Sequence, residues 1–134
     1  MKYNIYINIK IRIAGLIAGI FGVIIIGWAS HVLDGEFSET IEIKENHRLI
    51  TDGPYKHVRH PIYSGFILMH IGITIALSNL LIILFFNIGL FFLLLERIPK
   101  EEKVLKDFFG KKWEDYCEKR SMFLPFIKKL TKKI

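Results

Sequence analysis

Residues 61–97 read PIYSGFILMHIGITIALSNLLIILFFNIGLFFLLLER, an almost unbroken apolar block that is interrupted at Ser78 and Asn79. A membrane span needs about 20 apolar residues, so this block is too long for one span and suits a hairpin of two. Each arm of about 17 residues would be roughly 25 Å long, slightly short of a hydrocarbon core of about 30 Å. The sequence therefore predicts a helical hairpin over 61–97.

A second apolar block lies upstream, over 13–33. It is long enough for a retained membrane span, and no small-residue cleavage site follows it, so a cleavable signal is not indicated. Gly15, Gly19 and Gly22 recur at intervals of three and four, a spacing that lets helices approach closely. We expect these glycines to pack within the molecule, and the alternative is a homodimer contact through the same face. Residues 3–13 alternate like a strand but have no expected partner strand, so a helix entering from the interface is favoured.

Composition and charge agree with a membrane protein. Hydrophobic residues make up 51% of the 134 residues, and the mean hydropathy is +0.35. The net charge is +6, and 12 of the 19 lysines and arginines lie from Arg97 onward. Because this basic segment follows an apolar block, we expect it to face anionic lipid on the cytoplasmic side and not nucleic acid. Cys117 is the one cysteine, so no internal disulfide is possible, and no metal-binding pattern is present.

The blocks together predict an all-α integral membrane protein with one domain. Its three transmembrane helices are one span, 13–33, and the helical hairpin, 61–97. A cytoplasmic connector, 34–60, joins them, and a cytoplasmic amphipathic C-terminal helix with a basic tail occupies 98–134. A hairpin returns the chain to the side that it left, so the connector and the tail share one side of the membrane and the N-terminus lies outside.

The segment after Arg97 has the pattern of a separate amphipathic helix. Pro99 suits the first turn of such a helix, where its missing N–H costs nothing. Residues 122–126 then turn back toward the membrane. The apolar stripe of the helix consists of Val104, Leu105, Phe108, Phe109, Trp113 and Tyr116.

Two polar clusters flank the hairpin, at 53–65 and 97–102. A hairpin brings its two ends together, so we expect these clusters to be neighbours at the cytoplasmic interface. A ligand with an amino group, a carboxylate and an aromatic base would suit the combined set, which does not single out one such ligand. Pro61 would start a helix with free N–H groups, and Arg59 supplies a cation that can bind a carboxylate through two hydrogen bonds. Tyr55 and Tyr63 supply aromatic rings, and Glu101 and Glu102 supply carboxylates.

The same residues could also have purely structural roles. Arg59 and Arg97 can anchor the ends of membrane spans by snorkelling. Glu101 and Glu102 can complement the dipole at the start of a helix. His60, directly before a proline, can mark only a helix boundary. The convergence of all of them on one place favours a functional site.

Residues 49–65, LITDGPYKHVRHPIYSG, resemble the LVTxGPYxxVRHPxYxG signature of the isoprenylcysteine carboxyl methyltransferases and phospholipid methyltransferases. Downstream, 97–105 and 109–116 resemble the RxxxEExxL and FGxxYxxY elements of that family, with Trp113 where tyrosine is commoner. The resemblance covers about 28–126. It is carried by ordered motifs with matching spacing, which makes it specific.

Two further elements extend the resemblance upstream, because Phe37-Ser38 and His47 are similar to the W/F-S and GHxLV elements of the same family. No GxGxxG loop is present, which excludes a Rossmann methyltransferase. Longer members of the family carry one or two leading helices, so the resemblance implies a substrate side that is open or completed by a second subunit.

The resemblance implies methyl transfer from S-adenosylmethionine, without a metal, to a lipophilic acceptor. Arg59 would lie at the catalytic junction, and Arg97 would face the acceptor. A carboxylate acceptor, as in isoprenylcysteine, needs no base, and only His57 and His60 could serve as one, which favours a carboxylate. The residues that would line the cofactor pocket are His47, Arg48, Leu49, Ile50, Tyr55, His60, Pro61, Ile62, Tyr63, Glu101 and Glu102.

Other functions remain open from the sequence. A phospholipid N-methyltransferase, or another small-molecule methyltransferase on the same fold, is the nearest alternative. The stretch from Trp113 to Cys117 also resembles the WxxYC of NADPH-dependent sterol reductases, although those usually carry an acidic residue where Phe66 stands. A non-enzymatic membrane scaffold is the remaining alternative. The expected partners are a lipophilic or prenylated substrate and membrane lipids.

Overall fold

A computed structural model describes residues 4–33 and 48–125 of the chain. Within these ranges the protein is helical, with two isolated β-bridges and no strand. The elements, in chain order, are α1 (Ile9–Leu33), a short 3-10 helix (Gly53–Lys56), α2 (Pro61–Leu77), α3 (Leu80–Phe109) and α4 (Lys111–Lys119).

Two of the described helices, α1 and α3, are long and apolar enough to cross a membrane. The α2 helix is also apolar but has 17 residues. Large apolar side chains on α1 and α3 point away from the protein, and Phe85 and Phe92 are 75% and 63% exposed. Such surfaces are stable against lipid and not against water.

The predicted hairpin is present, with its turn at the expected pair. Ser78 ends α2 with a left-handed backbone (φ 54°). Asn79 then caps α3, because its side-chain oxygen accepts hydrogen bonds from the backbone N–H groups of Leu81 and Ile82 at 3.1 and 3.3 Å. A left-handed residue followed by a capping asparagine stops one helix and starts the next.

The hairpin tip also holds the segment before α1. The backbone N–H of Ile5 donates to the carbonyl of Ser78 at 2.8 Å, and Asn4 forms an antiparallel bridge with Asn79. The alternation before the first span therefore has a pairing partner, although only for a single bridge. The helix that follows starts at Ile9, four residues before the predicted span.

The second arm of the hairpin differs from the prediction. No separate helix starts at Pro99, because α3 continues through this proline to Phe109. A proline inside a helix removes one backbone hydrogen bond. Two side-chain pairs on the same helix bridge this point, Glu96 with Lys100 at 2.7 Å and Arg97 with Glu101 at 3.0 Å. Pairs four residues apart favour a helix slightly, and both of these span the position of the proline.

Glycines set the contact between α1 and α2. Gly15, Gly19 and Gly22 are buried on α1 and face α2. A Cβ atom added at Gly72 of α2 would lie 2.4 Å from the backbone nitrogen of Gly19. The backbones are therefore in direct contact. The alternative of a homodimer contact through the Gly15, Gly19 and Gly22 face is corrected, because α2 of the same chain already buries that face.

This packing predicts a large difference between two glycine substitutions. Gly72→Ala should lower the free energy of unfolding by about 1–3 kcal/mol, because the new methyl group must push two backbones apart. Gly27→Ala on α1 is the matched control, since a Cβ there meets no atom within 4 Å. Thermal unfolding of the detergent-solubilised variants measures both effects. Equal melting temperatures would contradict the backbone contact between α1 and α2.

Candidate active site

The two polar clusters meet where α2 begins and where α3 leaves its apolar stretch. The Tyr63 hydroxyl donates to Glu101 Oε1 at 2.5 Å. The Arg97 Nε donates to the same oxygen at 3.0 Å. Glu101 is 14% exposed, whereas Arg97 is 48% exposed. The first network therefore reaches from a sheltered carboxylate out to a cation at the surface of α3.

A second network forms around the next glutamate. Glu102 Oε1 lies 3.0 Å from Nε2 of His60 and 3.1 Å from Nη1 of Arg59. His60 is buried, and its Nδ1 lies 4.0 Å from Glu101 Oε2. The imidazole thus stands between the two carboxylates and joins the networks. Within the described residues, the two sets expected from the ends of the hairpin form one continuous polar cluster.

Arg59 holds this cluster against the C-terminal part of the chain. Its Nη1 donates to Cys117 Sγ at 2.9 Å, and its backbone N–H donates to the carbonyl of Ser121 at 2.9 Å. The Nε of the same guanidinium is buried and has no hydrogen-bond partner among the described residues. A buried N–H without an acceptor is unfavourable, so this donor has an unmet hydrogen bond within the cluster.

The 3-10 helix before α2 is fixed by Tyr116 of α4. The Tyr116 hydroxyl donates to the backbone carbonyls of Tyr55 and Val58, at 2.6 and 3.3 Å. Burial raises the pKa of Tyr116 to about 12, so the hydroxyl remains a donor at every physiological pH. Burial also raises the pKa of Tyr55, and the nearby Tyr116 and Glu101 add to that rise. Tyr55 therefore lies within electrostatic reach of the polar cluster.

A short C-terminal segment, Ser121 to Phe123, lies along the start of α2 and is called the strap below. The backbone N–H of His60 donates to Met122 O at 3.0 Å, and the Ser64 hydroxyl donates to Phe123 O at 2.7 Å. The rings of Phe123 and His60 have centroids 6.4 Å apart. Met122 and Phe123, which begin the segment predicted to turn back toward the membrane, belong to this strap.

An apolar groove of about 450 Å³ adjoins the polar cluster. It lies between α2, α3 and the strap, and Ile98, Pro99 and Phe123 line the end that is nearest to the polar cluster. Ile71 and Phe91 in its wall are 47% and 59% exposed, so the groove opens to the side of the hairpin. A lipophilic molecule could therefore reach the polar cluster without leaving an apolar environment.

The remaining predicted site residues lie at different distances from this centre. Ile50 is buried with Tyr55 and Ala29 in a small apolar core, against which Ile62 packs. Pro61 is fully buried in the first turn of α2.

Three predicted residues of the connector are less tightly placed. Arg48 is exposed, and Leu49 is partly exposed. His47 lies outside the described residues, as do Phe37 and Ser38. The structure therefore brings together Tyr55, Arg59, His60, Tyr63, Arg97, Glu101 and Glu102.

Several contacting residues have no place in the set predicted from the sequence. Tyr116 belongs to the predicted apolar stripe and to the 109–116 element, and Ser64 lies in the 49–65 signature, but neither is among the predicted site residues. Cys117, which has no predicted site role, accepts a hydrogen bond from Arg59. His57, one of the two candidate bases, is exposed. A tyrosine or serine that bonds to backbone carbonyls has no recognisable sequence pattern. Asn87, by contrast, is a polar residue within an apolar helix, and such a residue can be identified from the sequence.

The fold and the polar cluster define a class: a protein that is helical over its described residues, with helices long and apolar enough to cross a membrane and a charged site at the end of a hairpin. A sequence profile of the isoprenylcysteine carboxyl methyltransferase family matches residues 14–107. The chain belongs to the isoprenylcysteine carboxyl methyltransferase family, and the resemblance found in its motifs is confirmed.

Curated relatives carry the corresponding name. The chain is 38% identical over 115 residues to a probable protein-S-isoprenylcysteine O-methyltransferase of Oryza sativa subsp. indica, covering 84% of this chain and 60% of that protein. It is 32% identical over 134 residues to the protein-S-isoprenylcysteine O-methyltransferase of Xenopus laevis, covering 96% of this chain and 46% of that one. The chain thus spans about half the length of these relatives.

A solved structure shares the fold. It is that of the eukaryotic intramembrane Ras methyltransferase, isoprenylcysteine carboxyl methyltransferase, without a monobody. The superposition has a TM-score of 0.79 at 31% sequence identity and covers 90% of this chain and 44% of the other. The membrane character of the apolar helices described above agrees with this intramembrane neighbour.

Proposed function

We propose that this protein transfers a methyl group from S-adenosylmethionine to a lipophilic acceptor at the membrane interface. The proposed acceptor group is the carboxylate of an isoprenylcysteine-like molecule. One observation carries the proposal: the partly buried polar cluster around Glu101 and Glu102 adjoins an apolar groove that starts at Ile98. The names of the relatives support the same reaction.

The chemistry of the cluster fits the proposed cofactor. S-adenosylmethionine carries an ammonium, a carboxylate and a positively charged sulfur. Glu101 and Glu102 supply negative charge for the ammonium, and the guanidinium of Arg59, whose Nε has no partner among the described residues, would donate to the carboxylate. The Tyr63 hydroxyl bonds to Glu101, and Tyr55 lies close enough to Glu101 and Tyr63 to interact with both electrostatically, so both rings are near the proposed cofactor. The motif resemblance adds three residues of the connector, His47, Arg48 and Leu49, to the proposed pocket.

The residues of the chain prepare the transfer by position and by exclusion of water. When bound, S-adenosylmethionine supplies the methyl group of its sulfonium, and the rest of the cofactor leaves as a neutral thioether. A carboxylate acceptor needs no base, but it must be oriented and lose its water. Arg97 would orient the carboxylate, because Glu101 holds the Arg97 guanidinium beside the end of the groove that is nearest to the polar cluster. The apolar wall at Ile98 and Phe123 would exclude water.

The other acceptors and reactions have less support. An amine must lose a proton before it is methylated, and of the two candidate bases His57 is exposed and His60 is engaged with Glu102. This arrangement favours a carboxylate over a phospholipid amine. The relatives named above are methyltransferases, which favours transfer over NADPH-dependent reduction and over a scaffold.

Three transmembrane helices are part of the proposal. The α2 helix of 17 residues is about 25 Å long and would reach the far interface together with the first part of α3. The polar cluster and α4 would then lie on the cytoplasmic side, where the basic residues concentrate. In a Cys117→Ser background, Lys111→Cys should be labelled from the cytoplasmic side and Leu80→Cys from the opposite side. Labelling of both positions from one side would contradict this arrangement.

Methyl transfer to matched acceptors tests the proposal directly. The detergent-solubilised protein is mixed with S-adenosylmethionine labelled on its methyl group and with either N-acetyl-S-farnesylcysteine or phosphatidylethanolamine. A carboxyl methyl ester releases methanol in base, whereas a methylated amine does not. We expect base-labile product from the cysteine derivative only. Product from the phospholipid alone would replace the proposed acceptor with an amine.

A further inference from the structure

The apolar groove has two chemically different ends. At one end Ile98 and Pro99 lie next to Arg97 and the polar cluster. The other end is marked by Asn87, the only polar side chain among the described residues that line the groove. Asn87 and Ile98 are eleven residues apart on α3, which is roughly 16 Å along the helix. The groove is therefore an elongated apolar space with a single polar side chain, Asn87, at the end away from the polar cluster among the described residues.

Asn87 contacts the other arm of the hairpin through Thr74. Asn87 Nδ2 donates to the carbonyl of Ile83 at 2.7 Å on its own helix and reaches Thr74 Oγ1 on α2 at 3.4 Å. Thr74 is 2% exposed, and its hydroxyl donates to the carbonyl of Ile71 at 3.0 Å. A hydrocarbon chain that passed this point would have to separate the amide from the hydroxyl. Polar groups left unpaired in apolar surroundings are unfavourable.

We propose that Asn87, held by Thr74, is the floor of the acceptor groove and sets the longest hydrocarbon chain that the acceptor can carry. This inference rests on the proposed function and adds a specificity-determining residue to it. The occupant is the isoprenoid chain of the acceptor. Its carboxylate lies at Arg97, and the chain extends along the α3 face formed by Ile98, Leu94 and Leu90 until it meets the Asn87 side chain.

A series of acceptors of increasing length tests the floor. N-acetylcysteine carrying an S-geranyl, S-farnesyl or S-geranylgeranyl group is supplied with S-adenosylmethionine, and kcat/KM is measured for each. Asn87→Ala shortens the floor residue and should raise kcat/KM for the longest acceptor relative to the shortest by roughly ten-fold. Leu93→Ala is the matched control, because Leu93 lies on the same helix but outside the groove and is half exposed. It should leave the ratio unchanged.

A second variant keeps the test independent of the folding of Asn87→Ala. Leu90→Phe narrows the groove about one helical turn closer to the polar cluster than Asn87, and it should shift the preference toward shorter acceptors. If both groove variants still methylate the acceptors with an unchanged length preference, Asn87 does not limit the chain length, and the proposed function is unaffected. Failure of the wild-type protein to methylate any member of the series would overturn the proposed function, and the floor with it.

Discussion

Replacing Arg97 with alanine is expected to lower methyl transfer about 100-fold while the affinity for S-adenosylmethionine stays nearly unchanged. The loss of one clamp on the reacting group costs roughly 3 kcal/mol, which corresponds to this factor. Cofactor affinity should survive because Glu101 keeps its hydrogen bond from Tyr63 and its proximity to His60 when Arg97 is removed. Turnover with N-acetyl-S-farnesylcysteine and cofactor binding, measured on the same preparation, separate the two effects.

A lysine at this position distinguishes a clamp from a membrane anchor. Arg97→Lys keeps the charge but loses the planar fork that binds a carboxylate through two parallel hydrogen bonds. If Arg97 orients the acceptor, the lysine variant should remain close to the alanine variant in turnover. A lysine variant with wild-type turnover would mean that Arg97 only anchors the helix end by snorkelling. A large loss of cofactor affinity in Arg97→Ala would assign Arg97 to the cofactor pocket instead.

Glu101→Gln is expected to weaken S-adenosylmethionine binding by about 10- to 150-fold. A charge-assisted contact in a sheltered site contributes roughly 1.5–3 kcal/mol, and this range of free energy gives that range of affinity. Glutamine preserves the size of the side chain, so the fold should be retained. The expected effect arises because the carboxylate loses the charge that pairs with the cofactor, while Tyr63 can still donate to the remaining amide oxygen.

The matched control for this prediction is Glu96→Gln on the same helix. Glu96 is also paired with a cation four residues away, Lys100, but its side chain is 73% exposed and lies outside the polar cluster. Exposed pairs of this kind contribute little, so cofactor affinity and thermal stability should match the wild type. Equal losses in Glu96→Gln and Glu101→Gln would show a general effect of charge on the helix and not a specific site.

Much of the helical framework could be predicted from the sequence. The hairpin turn at Ser78 and Asn79 was predictable because a polar pair in the middle of a long apolar block is typical of a turn between two helices. The meeting of the two polar clusters followed from the return of the hairpin. The course of α3 through Pro99 was not predicted, because the local preference of proline favours a helix start and the ion pairs that bridge it become visible only in the structure.

The contacts that hold the site together were less accessible. Tyr116 and Ser64 bond to backbone carbonyls. Because every residue has such a carbonyl, the sequence does not show which one accepts the hydrogen bond. The strap pairs with residues some sixty positions away, a contact that no local pattern specifies. The glycine face of α1 predicted close packing correctly, but spacing alone could not tell whether α2 or a second copy would fill it.

The central claim is that the polar cluster binds S-adenosylmethionine, and calorimetric titration of the detergent-solubilised protein tests it most directly. S-adenosylmethionine and NADPH are titrated in separate experiments into the wild-type protein and into Glu101→Gln. We predict saturable binding of S-adenosylmethionine to the wild type, markedly weaker binding to the variant, and no binding of NADPH to either. Saturable binding of NADPH without binding of S-adenosylmethionine would contradict the methyltransferase assignment.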